Sequence, residues 1–96
     1  MKRREYKIDI EVNYIRINKV IIDTHFELKH SISINDELIL QLVKQLDGEV
    51  IEPDREDPPF SYFKSDKMNI NGKLYKLIWL LEEDQIYIGV INAYRR

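Results

Sequence analysis

The stretch FSYFKSDKMNINGKLYKLIWLLEEDQIYIGVINAYRR, residues 60–96, decides the fold class. Its Asn71-Gly72 pair stands between two β-rich runs, and both residues tolerate the positive φ that a type I′ hairpin turn requires. A second turn signal, Glu82-Glu83-Asp84, separates the middle run from the last one. The pattern predicts strands at about 60–70, 73–81 and 85–94. Residues 74–81 are apolar on both faces, which marks the central strand. In the last strand Ile86, Ile88 and Val90 share one face. Tyr87, Gly89, Ile91, Ala93 and Arg95 share the other, where the small residues leave a shallow depression.

Toward the N-terminus, residues 1–5 form a short basic arm. Tyr6, Ile8, Ile10, Val12 and Tyr14 then alternate with polar residues, the period of a half-buried strand. The apolar positions become odd at Ile15 and Ile17, which signals a bulge or register change. Asn18-Lys19 reads as a turn and Val20-Ile21-Ile22 as the return strand, closing an N-terminal hairpin. Thr24-His25-Phe26-Glu27 has the spacing of a capping box, so 24–30 reads as a short helix. A firmer helix follows. Ser33 or Asn35 caps it, Asp36 and Glu37 suit its N-terminal end, and Gly48 stops it. Leu38, Ile39, Leu42, Val43 and Leu46 make its apolar stripe, and Leu40 falls outside that stripe. Residues 52–59, with three prolines, read as a loop.

These elements predict a single α+β domain over residues 1–96. It is an antiparallel sheet of four to five strands with one or two helices packed on one face, preceded by the N-terminal hairpin.

Composition limits the function classes. The chain is 44% hydrophobic and 33% charged, an ordinary globular balance. It has no cysteine, which excludes disulfides and thiolate metal sites. The longest apolar run, Leu77–Leu81, is too short for a bilayer and nothing at the N-terminus reads as a signal peptide, so a cytoplasmic address and no membrane partner are expected. The net charge of −2 argues against nucleic acid, but it is unevenly placed. Residues 1–30 hold seven Lys/Arg against five acids and 60–96 hold six against four, whereas 49–59 hold one Arg against five acids. The sheet-forming ends are mildly basic, and the acidity sits in one loop and the helix before it.

Few residues carry chemistry. His25 and His30, five apart, would point about 140° from each other on a helix, which is not metal-ligand spacing. No metal and no cofactor is expected, and no phosphate-binding glycine loop or nucleophile elbow occurs. Acid pairs such as Asp9/Glu11 read as a solvated strand face. Metal-free RNA cleavage needs a base for the 2′-hydroxyl, cations for the phosphorane and an acid for the leaving oxygen. His25 or His30, Lys29, Tyr94, Arg95 and Arg96 supply those types. Each also has a plainer reading: a histidine at a helix end is a surface or capping residue, a tyrosine near a strand end is half-core, and a terminal arginine pair is solvated.

The run Ile22-Asp23-Thr24-His25-Phe26-Glu27-Leu28-Lys29-His30-Ser31-Ile32-Ser33, followed by an amphipathic helix, resembles the opening of small proteins in the RelE/ParE-like toxin superfamily, in particular its BrnT-type members. Ile91-Asn92-Ala93-Tyr94-Arg95-Arg96 resembles the family's basic, aromatic ending. The resemblance covers about residues 20–48 and 74–96. It implies a RelE-like fold and a type II toxin, a metal-independent endoribonuclease neutralised by an antitoxin protein and acting on mRNA or at the ribosome, with no DNA partner. His25 or His30 would serve as acid–base, Lys29, Arg95 and Arg96 would bind phosphate, and Tyr94 would stack or donate a proton. The chain departs from the family in its net acidity, in Ser31 where BrnT-type members have glycine, and in the extra N-terminal hairpin. The rival reading is a non-catalytic protein-binding module of the same fold, which would use the helix around Leu40 or an open sheet edge.

Overall fold

The computed structural model describes residues 3–23 and 34–96. The chain forms strands β1 (Arg3–Val12) and β2 (Ile15–Asp23), helix α1 (Asp36–Lys44), and strands β3 (Arg55–Asp57), β4 (Phe60–Ile70), β5 (Lys73–Glu82) and β6 (Tyr87–Arg95). All six strands join one sheet in the order β1-β2-β6-β5-β4-β3. This corrects the expected antiparallel sheet of four to five strands carrying one or two helices. The N-terminal hairpin does not precede the sheet; it extends it, because β2 pairs with β6 in parallel from Lys19↔Tyr87 to Ile22↔Val90. The sheet is therefore mixed, and a single nine-residue helix is found among the described residues. The expected helix at 24–30 lies outside them. No helix among the described residues is long and apolar enough to cross a membrane.

The opening hairpin turns earlier than its sequence suggests. Asn13 and Tyr14 occupy positive φ, at 51° and 64°, and Val12 pairs with Ile15 across them. The parity switch at Ile15 is thus the turn itself, and Asn18-Lys19 lies inside β2. Asn13 then anchors the loop after the helix. Its backbone N–H donates to the Glu49 carbonyl at 2.9 Å, and its side chain exchanges hydrogen bonds with both backbone groups of Ile51. The Asn71-Gly72 turn is as expected, with φ of 53° and 81° and Ile70 paired with Lys73. The loop expected at 52–59 contains β3, a three-residue edge strand of charged residues only.

Helix α1 starts where its capping residue dictates. The Asn35 side chain accepts a hydrogen bond from the Leu38 N–H at 2.9 Å, and Asp36 and Glu37 fill the first turn. Ile39, Leu42, Val43 and Leu46 are buried against the sheet, and Leu40 is half-buried against the same core. Leu40 is therefore part of the packing and leaves no separate contact surface. Gly48, at φ 81°, reverses the chain so that its N–H reaches the Glu11 carbonyl at 2.7 Å, while Asp47 accepts from the Glu11 N–H. This turn satisfies both backbone groups of Glu11 on the β1 edge.

One sheet face carries the core. Ile10, Val12, Ile17, Val20, Ile22, Phe63, Leu77, Trp79, Ile88, Val90 and Ala93 are buried on the helix side, and no polar or charged residue is buried among the described residues. Trp79 stacks on Phe63 at 4.1 Å between ring centroids, and its indole N–H donates to the Ser65 hydroxyl at 3.0 Å. A bulge in β6 sets the remaining parity. Trp79 pairs with Val90 but Ile78 pairs with Asn92, so Ile91 is the extra residue and Ala93 turns inward opposite Leu77. Ala93 consequently leaves the face that the simple alternation assigned to it.

Candidate functional site

The residues expected to cleave RNA do not converge among the described residues. His25, Lys29 and His30 lie outside them. Tyr94 and Arg95 follow the β6 bulge and stand on opposite faces of the sheet. Tyr94 pairs with Lys76 on the face away from the helix, and Arg95 pairs with the buried Tyr75 on the helix side, where its own side chain is exposed. The Arg96 guanidinium is engaged by Asp66, with Nε 2.8 Å from Oδ1. The three C-terminal residues thus present no shared phosphate site, because adjacent strand residues alternate faces and the last one has an acidic partner. Among the described residues no cluster of histidine and carboxylate ligands is placed to hold a metal ion.

The face away from the helix has the more distinctive surface. Strand pairing sets its residues in rows. One row runs Glu5, Ile21, Gly89, Leu80, Tyr62, Arg55, each paired with the next. Beside it Lys7 pairs with Lys19 and Lys19 with Tyr87, while Glu82 pairs with Phe60 and Phe60 with Asp57. On the other flank are Arg3, Ile91, Ile78 and Lys64, then Lys76 and Tyr94. Ile21, Phe60, Tyr62, Ile78, Leu80 and Tyr87 are half-buried there, and Ile91 is 38% exposed. An antiparallel strand with one wet face ordinarily alternates apolar and polar residues, but β5 places Leu74, Ile78 and Leu80 on this side, interrupted by Lys76.

Charges ring this apolar panel. Arg3, Lys7, Lys19, Arg55, Lys64 and Lys76 take register positions on this face with Glu5, Asp23, Asp57 and Glu82, and Asp54 reaches Lys64, so the two signs are close to balanced. Lys19 pairs with Glu5 at 3.2 Å and Lys64 with Asp54 at 3.5 Å, both largely exposed, while the Arg55 guanidinium lies 4.5 Å from the Tyr62 ring centroid. Arg3, Lys7 and Lys76 have no ion-pair partner among the described residues. The Tyr87 hydroxyl donates to Glu82 at 2.6 Å. Burial first, and then that hydrogen bond, push the Tyr87 phenol up to about 12, so it stays protonated as a fixed donor.

The depression expected around Gly89 is present as a recess bounded by Ile21, Leu80, Ile91 and Phe60, and Ala93 takes no part in it. Sequence reading missed the panel because its members come from β2, β4, β5 and β6. The available signal was the two-sided apolar character of β5, which reads equally well as burial on both faces.

No protein-family model matches this chain, and no curated protein and no solved structure is significantly similar to it.

Proposed function

We propose that this protein is a non-catalytic binding module that holds a partly apolar segment of another protein against the sheet face opposite α1. The observation that carries the reading is the panel of Ile21, Phe60, Tyr62, Ile78, Leu80, Tyr87 and Ile91, with charges of both signs around it. An apolar centre with a polar, charged rim is the anatomy of a protein interface. A ribonuclease of the toxin type needs its proton-transfer groups and cations around one phosphate, and Tyr94, Arg95 and Arg96 diverge. That divergence favours binding over catalysis.

The test uses the tagged full chain expressed in its source organism. Wild type, an outer-face variant (Lys76→Glu with Ile91→Asp) and a helix-surface variant (Gln41→Asp) are purified, and their bound polypeptides are quantified by mass spectrometry. A polypeptide retained by wild type and Gln41→Asp, and lost from the outer-face variant, is the expected result. Equal loss from both variants would move the interface elsewhere. Cleavage of RNA by the purified chain, persisting in the outer-face variant, would restore the nuclease reading.

A further inference from the structure

The outer face is balanced in charge as a whole but not along its rows. The row that starts with Lys7 on β1 and Lys19 on β2 ends with Glu82 on β5 and Asp57 on β3, so it is basic at one end and acidic at the other. The next row has the opposite sense, with Glu5 at its β1 end and Arg55 at its β3 end. The order β1-β2-β6-β5-β4-β3 leaves three strands on each side of a midline between β6 and β5. A half-turn about an axis over that midline and parallel to the strands lays the face on a second copy of itself, each row meeting the same row reversed. Lys7 then faces the partner's Asp57, and Glu5 faces the partner's Arg55. In the middle, Ile21 faces the partner's Tyr62 and Ile91 faces the partner's Ile78, while Lys64 faces the register position of the partner's Asp23. No row sets like charges against each other. The other half-turn that stacks the two faces, about an axis along the rows, does so three times, putting Glu5 on Glu5, Arg55 on Arg55 and Lys7 on Arg3.

We infer that the outer face docks on the same face of a second copy of this chain, in a two-fold dimer whose sheets stack with their strands nearly aligned. The inference rests on the outer face being a docking surface and names the partner as another molecule of the same chain. Aligned sheets pack about 10 Å apart with the side chains of the facing surfaces interdigitated, which suits the aliphatic and aromatic middle of this one. The four charges that match are exposed, at the two lateral edges, where a rim belongs. Lys7 and Asp57 have no ion-pair partner among the described residues. Glu5 holds Lys19 at 3.2 Å, and its carboxylate has acceptor capacity left for a guanidinium. Six strands about 4.8 Å apart, each contributing about six residues, cover roughly 500 Å² per copy, or about 1,000 Å² in all, the low end of specific interfaces. The dimer is therefore a weak, exchanging one, with a dissociation constant of roughly 10–100 µM. Below that range the chain is monomeric, and unfolding measured there reports the single chain.

The test is analytical ultracentrifugation of the full chain at concentrations bracketing that range, with two charge-swapped variants. One carries Glu5→Lys and Lys7→Glu on β1, the other Arg55→Glu and Asp57→Lys on β3. Each keeps the net charge, and far-UV circular dichroism checks that each is folded. Wild type is expected to pass from monomer to dimer. Each variant alone sets like charges together at four places in its own dimer and is expected to associate at least about tenfold more weakly. An equal mixture of the two is expected to regain the wild-type association, because the swapped β1 of one meets the swapped β3 of the other while their unswapped edges also match. A variant that was merely damaged would not be rescued by mixing. Association that neither swap weakens, or that both weaken and mixing does not restore, would overturn the two-fold pairing. A wild-type chain that stays monomeric throughout would overturn the dimer alone, leaving the face to a different chain. The docking face itself falls only if the co-purified polypeptide is retained equally by the outer-face variant.

Discussion

The two faces of the sheet draw on the same strands and similar apolar residues, yet they are built to different standards. On the helix side every apolar position along β5, from Tyr75 through Leu77 and Trp79 to Leu81, is buried, and Trp79 and Leu77 are fully so. On the opposite side the same strand shows Leu74, Lys76, Ile78 and Leu80, none of them fully buried. No charged residue is buried on the inner face, whereas the outer face mixes basic and acidic side chains among aliphatic and aromatic groups. Burial of an apolar side chain stabilises the fold in proportion to the area removed from water, so the inner face holds most of the stability. The outer face keeps apolar area in reserve. A surface that a folded chain does not need for its own core, and does not make polar either, is available to a partner.

The largest effect expected from this contrast is at Trp79. Trp79→Ala would remove a fully buried ring stacked on Phe63 and leave the Ser65 hydroxyl without its donor. A loss of about 3–5 kcal/mol is expected in urea unfolding, a large part of a small domain's stability. Near-native stability of this variant would mean that the helix-side face is not the core.

Gly72→Val comes next. Gly72 has φ of 81°, a conformation that a β-branched residue resists, although a Cβ there would meet nothing within 4 Å. The cost is therefore backbone strain alone, about 1–3 kcal/mol. It is read as a lowered unfolding midpoint with an unchanged denaturant slope, and an unchanged midpoint would refute the turn.

A third prediction concerns the tie between the sheet and the start of α1. The Asp36 carboxylate accepts hydrogen bonds from Arg4 and from the Tyr6 hydroxyl. Burial pushes the Asp36 pKa up, but the hydrogen bonds from Arg4 and Tyr6 outweigh it and hold the group below its ordinary value. The hydrogen bond to Asp36, aided by burial, pushes Tyr6 upward and keeps it protonated. A depressed carboxylate pKa contributes stability above its unfolded value, and that contribution is lost as pH falls through the folded value. The raised Tyr6 pKa works at the other end, its contribution fading as pH rises past the ordinary tyrosine value. Asp36→Asn is expected to cost about 1–3 kcal/mol near neutrality. It is also expected to flatten the acid limb of a stability-against-pH curve relative to wild type, and an unaltered acid limb would contradict the assignment.

The smallest effect belongs to the outer face. Ile91 is the extra residue of the β6 bulge and is 38% exposed, so Ile91→Asp is expected to change stability by no more than about 0.5 kcal/mol. Thermal unfolding of Ile91→Asp beside Trp79→Ala measures the contrast between the faces directly. A loss at Ile91 comparable to that at Trp79 would show that the outer face is core after all.

The parts of this molecule that were legible in the sequence are those set by local chemistry. Asn71-Gly72 specified its turn because two positive-φ positions are needed there. Of the two expected caps, Ser33 or Asn35, Asn35 is the one that caps α1; Gly48 marked where the chain turns after it, and of the expected stripe Ile39, Leu42, Val43 and Leu46 are buried while Leu38 is half-buried. The depression at Gly89 followed from strand alternation up to the bulge. The turn at Asn13-Tyr14 was hidden because tyrosine seldom accepts positive φ, and the pinning of Asn13 to Glu49 and Ile51 that holds it there involves residues far along the chain.

Everything that depended on which strands meet was decided by the tertiary structure. The parallel pairing of β2 with β6 joins Lys19 to Tyr87, and no local pattern encodes a contact at that separation. That single pairing turned an expected hairpin-plus-sheet into one six-stranded sheet, and it placed Ile21 and Arg3 beside Gly89. The bulge at Ile91 then sent Tyr94 and Arg95 to opposite faces and Ala93 into the core. A one-residue slip inverts every face assignment beyond it, so alternation read along a single strand stops being informative at the first bulge. The sequence by itself determined the Asn71-Gly72 turn, the apolar stripe of the helix and which segments were apolar. The folded sheet determined which of those apolar faces was closed by the helix and which was left for something else to cover.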